Sequence, residues 1–402
     1  MQSVAGIDWA KDAHRVCVLD AEGTRLAEAG IGHDEQGLRR LVALLADHGV
    51  GRVAIERGEG VLVGALLEAG RAVLVIHPNQ ARAARPRFRM AGKSDGFDAY
   101  LLAELARTDA HRFATLAPDA DQTQALRALT RARADLVETR VALANRLRAE
   151  LERFWPGAAG VFAAVDSPIA LAFLARYPSP ADAAGLDEKA LSAFLARHAC
   201  SGRRAPAELL GRLLAAPAGR AGAAEVEARR GIVLGLLAAL GPVVEQVRLL
   251  TSQIAGALDA HPDGALFRSL FRDPKSVITA ATLLAEIGDR RERYADGRAL
   301  AAQAGVCPVA IESGRRRAAG FRWACNKRLR EAFGTLADSS RHHNPWAAAR
   351  YRDARRAGKD HPHAARVLGR SWALVIWRMW QDRTPYDPAR HGGLRRLLAE
   401  EG

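Results

Sequence analysis

Val4-Ala5-Gly6-Ile7-Asp8-Trp9-Ala10-Lys11 is the stretch on which the fold turns. A short apolar run ends there in a carboxylate, as when a buried strand carries an acid to the edge of a sheet. A second run, Gly51-Arg52-Val53-Ala54-Ile55, ends in the same way at Glu56. Farther on, Lys93-Ser94-Asp95-Gly96-Phe97-Asp98-Ala99-Tyr100-Leu101-Leu102 opens a helical pattern. Its two acids are three residues apart, so on a helix they point to one side.

Between these landmarks, strand and helix signals alternate. Val4–Asp8, Arg15–Leu19 and Arg25–Gly30 read as strands, with Ala21-Glu22-Gly23 as a turn between the last two. Leu38, Leu41, Leu44 and Leu45 mark an amphipathic helix, followed by a buried strand at Val53–Ile55. Leu62, Leu66 and Leu67 mark another helix, and Ala72–Ile76 a strand closed by His77-Pro78. An antiparallel meander followed by alternating β and α is the order of ribonuclease H-like folds. The expected fold class is therefore α/β over residues 1–118 and all-α beyond.

From 119 to 262 the strand signals stop. Leu126, Leu129, Leu136, Leu143, Leu147, Leu151 and Phe154 recur at helical spacing until Trp155-Pro156-Gly157. A second long helix is expected from Ala223 to Leu258, and the pair suggests an antiparallel coiled-coil arm. Residues 263–402 read as a helical, basic region. Arg315, Arg316, Arg317, Arg322, Lys327, Arg328 and Arg330 stand there with no acid between Gly314 and Arg330. Three domains follow: 1–118, 119–262 and 263–402.

The chain has 402 residues, a formal net charge of +14 and a hydrophobic fraction of 49%. That is enough apolar material for real cores, and the charge favours a polyanionic partner. No apolar run reaches the roughly 18 residues of a membrane span. The longest, Ile232 to Val244, is interrupted by Pro242, so no membrane partner is expected. Cys17, Cys200, Cys307 and Cys325 are scattered with no Cys-x-x-Cys spacing, which points away from disulfides and zinc ribbons and fits a reducing cytoplasm.

Singly, each acid has an ordinary explanation: a helix cap for Asp95, surface or ion-pair roles for the rest. Jointly, in this order and in a basic chain, Asp8, Glu56, Asp95 and Asp98 form an all-oxygen donor set of the kind hard divalent cations prefer, Mg²⁺ or Mn²⁺. Such ions can clamp a phosphodiester between attacking and leaving oxygens. Asp12 and Asp20 sit in turns, where Asp serves local purposes. Lys93, two residues before Asp95, reads equally as a phosphate contact or a solvated lysine. Ser313 precedes Gly314 and the arginine run; guanidiniums there would steady charge on a phosphorus under attack. His342, His343, His361 and His363 have no cysteine partner nearby for a soft-metal site and read as surface or nucleic-acid contacts, and Trp372, Trp377 and Trp380 read as core.

Gly6-Ile7-Asp8, Glu56, His77-Pro78-Asn79 and Lys93–Ala99, then Leu283–Asp289, Ala304–Pro308, Ser313-Gly314 and Cys325-Asn326-Lys327-Arg328-Leu329-Arg330, together resemble the DEDD-type insertion-sequence transposases, serine recombinases guided by a bridge RNA. The resemblance covers nearly the whole chain. It implies a RuvC-like domain with Asp8, Glu56, Asp95 and Asp98 as catalytic metal ligands, a coiled-coil arm, and a C-terminal transposase domain with Ser313 as the nucleophile. It further implies donor and target DNA, a structured guide RNA, a dimer or tetramer, and a bacterial, nucleoid-associated setting. Three positions depart from the pattern: Arg57-Gly58 after Glu56, Phe271–Ser276 in place of a glycine-bearing hairpin, and Cys325 where glycine is usual. Two other enzyme classes share parts of the pattern. A hydrolytic RuvC-like nuclease or junction resolvase would leave the basic C-terminal half without a purpose. An actin-like ATPase or kinase would need a second Asp-x-Gly turn and a glycine-rich adenosine motif, and the chain has neither. A nucleic-acid-binding scaffold with a decayed metal site is the non-enzymatic alternative.

Overall fold

The computed structural model describes residues 3–88, 94–113, 115–200, 204–217, 219–273, 276–313 and 316–401. The chain falls into two compact units, Met1–Pro118 and Asp119–Gly402.

In the first unit the order is β1 (Ser3–Asp8), β2 (Ala13–Leu19), β3 (Arg25–Gly32), α1 (Glu35–Asp47), β4 (Val50–Ile55), α2 (Val61–Glu68), β5 (Ala72–Val75), α3 (Pro78–Ala84) and α4 (Asp95–Thr108). The sheet runs β3-β2-β1-β4-β5. The first three strands are antiparallel neighbours, while β4 and β5 join parallel to β1. This topology is consistent with an RNase H-like fold. Period-two alternation divides the core between the two faces of the sheet. Val4, Cys17, Leu19, Ala54 and Leu74 pack with α4, whereas Ala5, Ile7, Val16, Val18, Val53 and Ile55 pack with α1 and α2. His77-Pro78 does more than close a strand. Pro78 is the first residue of α3, and the His77 ring accepts from the Asn79 N–H at 3.2 Å while Gln80 accepts from the His77 N–H.

Gly6 sets the distance between β1 and α4. A Cβ at this position would lie 2.1 Å from the Ala99 carbonyl oxygen and 2.2 Å from the Ala103 nitrogen. Only glycine lets the strand and helix backbones approach this closely.

The second unit begins with α5 (Asp121–Phe154) and then α6 (Pro156–Val161), α7 (Pro168–Arg176), α8 (Glu188–Arg197) and α9 (Pro206–Ala215). It returns along α10 (Ala223–Ala260). Thr123 meets His261, Arg133 meets Thr251 and Glu150 meets Arg229, so α5 and α10 run antiparallel. Val233, Leu240, Val247 and Ile254 are buried on α10 at seven-residue intervals, the spacing that keeps one face of a helix on its partner. The expectation that no segment could span a membrane needs correction: α10 is long and apolar enough by length and composition, and Pro242 lies inside it without ending it. A proline removes one helical hydrogen bond, and the unbroken seam on both sides of it carries the helix through.

After α10 come α11 (Gly264–Arg268), α12 (Val277–Ile287) and α13 (Gly297–Gln303). They are followed by β6 (Val309–Ser313), β7 (Arg316–Gly320), α14 (Lys327–Ser340), α15 (Pro345–Arg356), α16 (His361–Gln381) and α17 (Gly392–Glu401). The region expected to be wholly helical therefore contains an antiparallel hairpin, in which Ser313 pairs with Arg316. The exposed apolar residues Val309 and Ile311, each followed by a smaller or polar residue, were its strand signal. Trp372 and Trp380 are buried as expected, and the Trp377 indole donates to the Tyr294 carbonyl at 3.0 Å.

Buried ion pairs hold the base of the long helices. Glu286, with its side chain 1% exposed, accepts from Arg131 at 2.8 Å and from the Asn326 amide at 2.7 Å. Burial alone would raise its carboxyl, yet these two donors hold it below the usual range. Asp119 is equally buried between Arg127 and Arg293. Asp289 accepts from the Ala120 N–H at 2.9 Å and from the Thr123 hydroxyl at 2.8 Å. Gly288, at φ +89°, leaves space that a Cβ would contest with Asp119 and Arg293.

Two substitutions test this packing. Gly6→Ala forces β1 and α4 apart and is expected to cost about 1–3 kcal/mol or more, read from denaturant unfolding. Glu286→Ala strands Arg131 and is expected to cost about 3–5 kcal/mol. A loss below about 0.5 kcal/mol in either variant contradicts the role assigned to that residue.

Candidate active site

Ile7 and Ile55 are register partners in the parallel β1–β4 pair, so Asp8 and Glu56 leave the same end of adjacent strands. Helix α4 brings the other two acids. Ser94 caps it, its hydroxyl accepting from the Phe97 N–H at 3.2 Å, and Asp95 and Asp98 occupy the first turn. That end of a helix carries partial positive charge and tolerates carboxylates. Because Gly6 lets α4 lie on β1, its first turn falls beside Asp8.

The electrostatics register the convergence. Asp8 is pushed up to about 6, first by burial and then by the charges of Asp98, Asp95 and Glu56, with Arg85 opposing. Glu56 is also raised, by burial and then by Asp98, against Arg85, His77 and Arg82. Carboxylates that raise one another are relieved by a cation placed among them. Here the nearest cation is Arg85, whose guanidinium pairs with Asp98. Among the described residues, no three acidic, imidazole or thiol groups are drawn together as tightly as around a bound ion. The all-oxygen donor chemistry fits a hard divalent cation, and Arg85 is the cation paired with Asp98 in this structure.

Sequence reasoning missed Arg85, and the basic run Arg82-Ala83-Ala84-Arg85-Pro86-Arg87 was the available signal. It also missed what Arg57 does. Its guanidinium lies 4.1 Å from the centroid of the Trp9 ring, tying together the segments that follow Asp8 and Glu56. His14, fully buried, shares a 2.9 Å hydrogen bond with His33, and both rings adjoin Trp9.

In the second unit, Ser313 is the last residue of β6. Lys93 and Arg315 lie outside the described residues, as do the side chains of Ser313, Arg316 and Arg317. Of the remaining basic candidates, Lys327 is exposed, and Arg328 pairs with Asp135 at 2.7 Å on the surface. Arg330 is already engaged: it donates to Cys325 Sγ at 2.7 Å and to the Arg322 carbonyl, and it lies 4.4 Å from the Phe321 ring centroid. These contacts fix the Arg330 guanidinium beside the segment that leaves the hairpin. Cys325 thereby acquires a partner that glycine would not offer. Asn326 caps α14, accepting from the Leu329 N–H at 3.0 Å while it donates to Glu286.

The raised Asp8 has a consequence for stability. An acid raised by folding holds its proton in the folded chain over a range where the unfolded chain has released it. Stability of the metal-free protein therefore falls as pH rises from about 4 to about 6 and stays lower above. Asp8→Asn removes that penalty. In EDTA at pH 7.5 the variant is expected to melt about 2–4 °C higher than the parent, with the gap closing toward pH 4. Circular dichroism melts check this, and a lower melting point for the variant at pH 7.5 contradicts the charge crowding.

A DEDD-type transposase profile of the IS110 group matches residues 5–156, which contain all four acids. The transposase profile of the IS116/IS110/IS902 family matches residues 276–352, which contain the hairpin. The IS117 mini-circle protein of Streptomyces coelicolor is 35% identical over 96% of this chain and 95% of its own. An insertion element IS900 protein of Mycobacterium paratuberculosis is 29% identical over 96% and 97%. An IS116 protein of Streptomyces clavuligerus is 27% identical over 96% of each chain. With both halves matched and a relative aligned along almost its whole length, the chain belongs to the IS110/IS116 family of insertion-sequence transposases, enzymes that cut and rejoin DNA.

Proposed function

We propose that this transposase works through a divalent-cation centre in a RuvC-like domain and a serine nucleophile in a C-terminal transposase domain. The observation that carries the reading is the mutual crowding of Asp8, Glu56, Asp95 and Asp98 at one end of the sheet. Those four acids would hold Mg²⁺ or Mn²⁺, which when bound supplies charge neutralisation at the scissile phosphate.

The chain's own residues supply the rest. Ser313 attacks phosphorus: the bond formed is Oγ–P, the bond broken is P–O3′, and the serine proton ends on the released 3′-hydroxyl. The phosphoserine link conserves the phosphodiester's energy for rejoining, which water as nucleophile would discard. Arg315, Arg316 and Arg317 neutralise phosphate near the serine, while Lys93, Arg322, Lys327 and Arg328 add backbone contacts. Three functional segments follow, 1–118, 119–262 and 263–402, the middle one a coiled-coil arm for assembly. The serine of one subunit then acts with the acids of another in a dimer or tetramer, so that cleavage waits for assembly on donor and target DNA. A structured guide RNA supplies sequence choice by base pairing, leaving the protein to read backbone and shape. The expected setting is the bacterial cytoplasm, at the nucleoid.

With Mg²⁺, matching RNA and labelled donor DNA, the parent is expected to yield a protein–DNA adduct that survives denaturing electrophoresis. Ser313→Ala is expected to abolish the adduct. Asp8→Asn and Asp95→Asn are expected to lower cleavage at least a hundredfold while leaving nucleic-acid binding largely intact. Cleavage by Ser313→Ala with free 5′-phosphate ends would assign the attack to water.

A further inference from the structure

A groove of about 720 Å³ opens in the second unit between the base of the β6–β7 hairpin and one face of α16. Six basic side chains line it: Arg322 from the segment after β7, Arg350 from α15, Lys359 from the loop that follows, and His363, Arg366 and Arg370 from α16. The α16 residues recur at three- and four-residue intervals, so a single helix face presents them. No acid lines the groove, and Arg350, Lys359 and Arg370 have no ion-pair partner among the described residues. Arg322, also in the lining, keeps a buried Nε with no hydrogen-bond partner.

The groove is also aromatic. Phe321 forms part of its wall, with the Arg330 and Arg366 guanidiniums 4.4 and 5.1 Å from its ring centroid. Trp323 packs edge-on against Phe321, centroids 4.7 Å apart, yet is 78% exposed. A tryptophan left this bare, packed against the Phe321 of the groove wall, offers a stacking face at the edge of a cationic groove.

We propose that this groove binds single-stranded DNA, with phosphates on Arg350, Lys359 and Arg370 and one unstacked base on Trp323. A duplex hides its base faces in its own stack and would use only the cations. The volume falls within the range of small-ligand pockets, about 300–1,000 Å³. DNA is favoured over RNA because the hairpin that forms one wall also carries Ser313. Val309, at the base of the hairpin, is four strand residues from Ser313, roughly 13 Å along the strand. The groove would thus grip the cut strand a short way from its break. This inference rests on the transposase reading, but its test needs neither metal nor cleavage.

Fluorescence anisotropy in EDTA, with the full chain, compares a labelled 20-nucleotide thymidine strand, a uridine strand of equal length and a duplex. Trp323→Ala is expected to weaken the thymidine strand about tenfold and the duplex less than twofold, with Trp323→Phe recovering most of the loss. Arg350→Gln with Arg370→Gln is expected to flatten the slope of log affinity against log salt by about 1.4. Melts matching the parent guard against misfolding. Unchanged affinity and slope, equal losses on strand and duplex, or a loss confined to the uridine strand would each overturn the proposal. Intact strand binding without any serine–DNA adduct would count against the cleavage chemistry alone.

Discussion

The approach of α4 to β1 across Gly6 is the constraint on which the rest of the first unit depends. Without a side chain at that position, the helix backbone touches the strand backbone, and the first turn of the helix meets the acid that ends the strand. Crowded carboxylates are the result, and they are unfavourable by themselves: burial and the neighbouring acids push Asp8 up to about 6. The fold sustains this arrangement by burying apolar side chains on both faces of the sheet. Arg85 relieves part of the repulsion through Asp98.

The second unit solves a different problem. A pair of helices this long must be anchored at one end if its position is to be defined. Asp119, Glu286 and Asp289 provide the anchor through pairs and hydrogen bonds with Arg127, Arg293, Arg131, Thr123 and the Ala120 amide. Asn326 extends the same network to the cap of α14, and Arg330 extends it to the segment leaving the hairpin. The hairpin that bears Ser313 is thus joined to the helical base by named contacts.

Much of this was legible in the sequence, because apolar periodicity is a local property. All five strands of the first sheet and both long helices lie close to where their patterns put them, and the acids were visible as carboxylates ending two apolar runs and opening a helix. The C-terminal hairpin was not, since its strands are short, exposed and embedded in a basic run that reads equally as a helix face. Arg85 was hidden because an arginine's partner is set by tertiary contact. The contacts of Arg330 with Cys325 and Phe321 were hidden for the same reason. Pro242 misled through an ordinary rule that a long packed seam overrides.

The central claim is that Asp8, Glu56, Asp95 and Asp98 together receive a divalent cation. Crystals grown with Mn²⁺ and measured at a wavelength where manganese scatters anomalously test it most directly. The expected result is an anomalous peak among those four carboxylates, with the Arg85 guanidinium displaced from Asp98. Saturating Mn²⁺ with no peak there, and Arg85 still on Asp98, would contradict it.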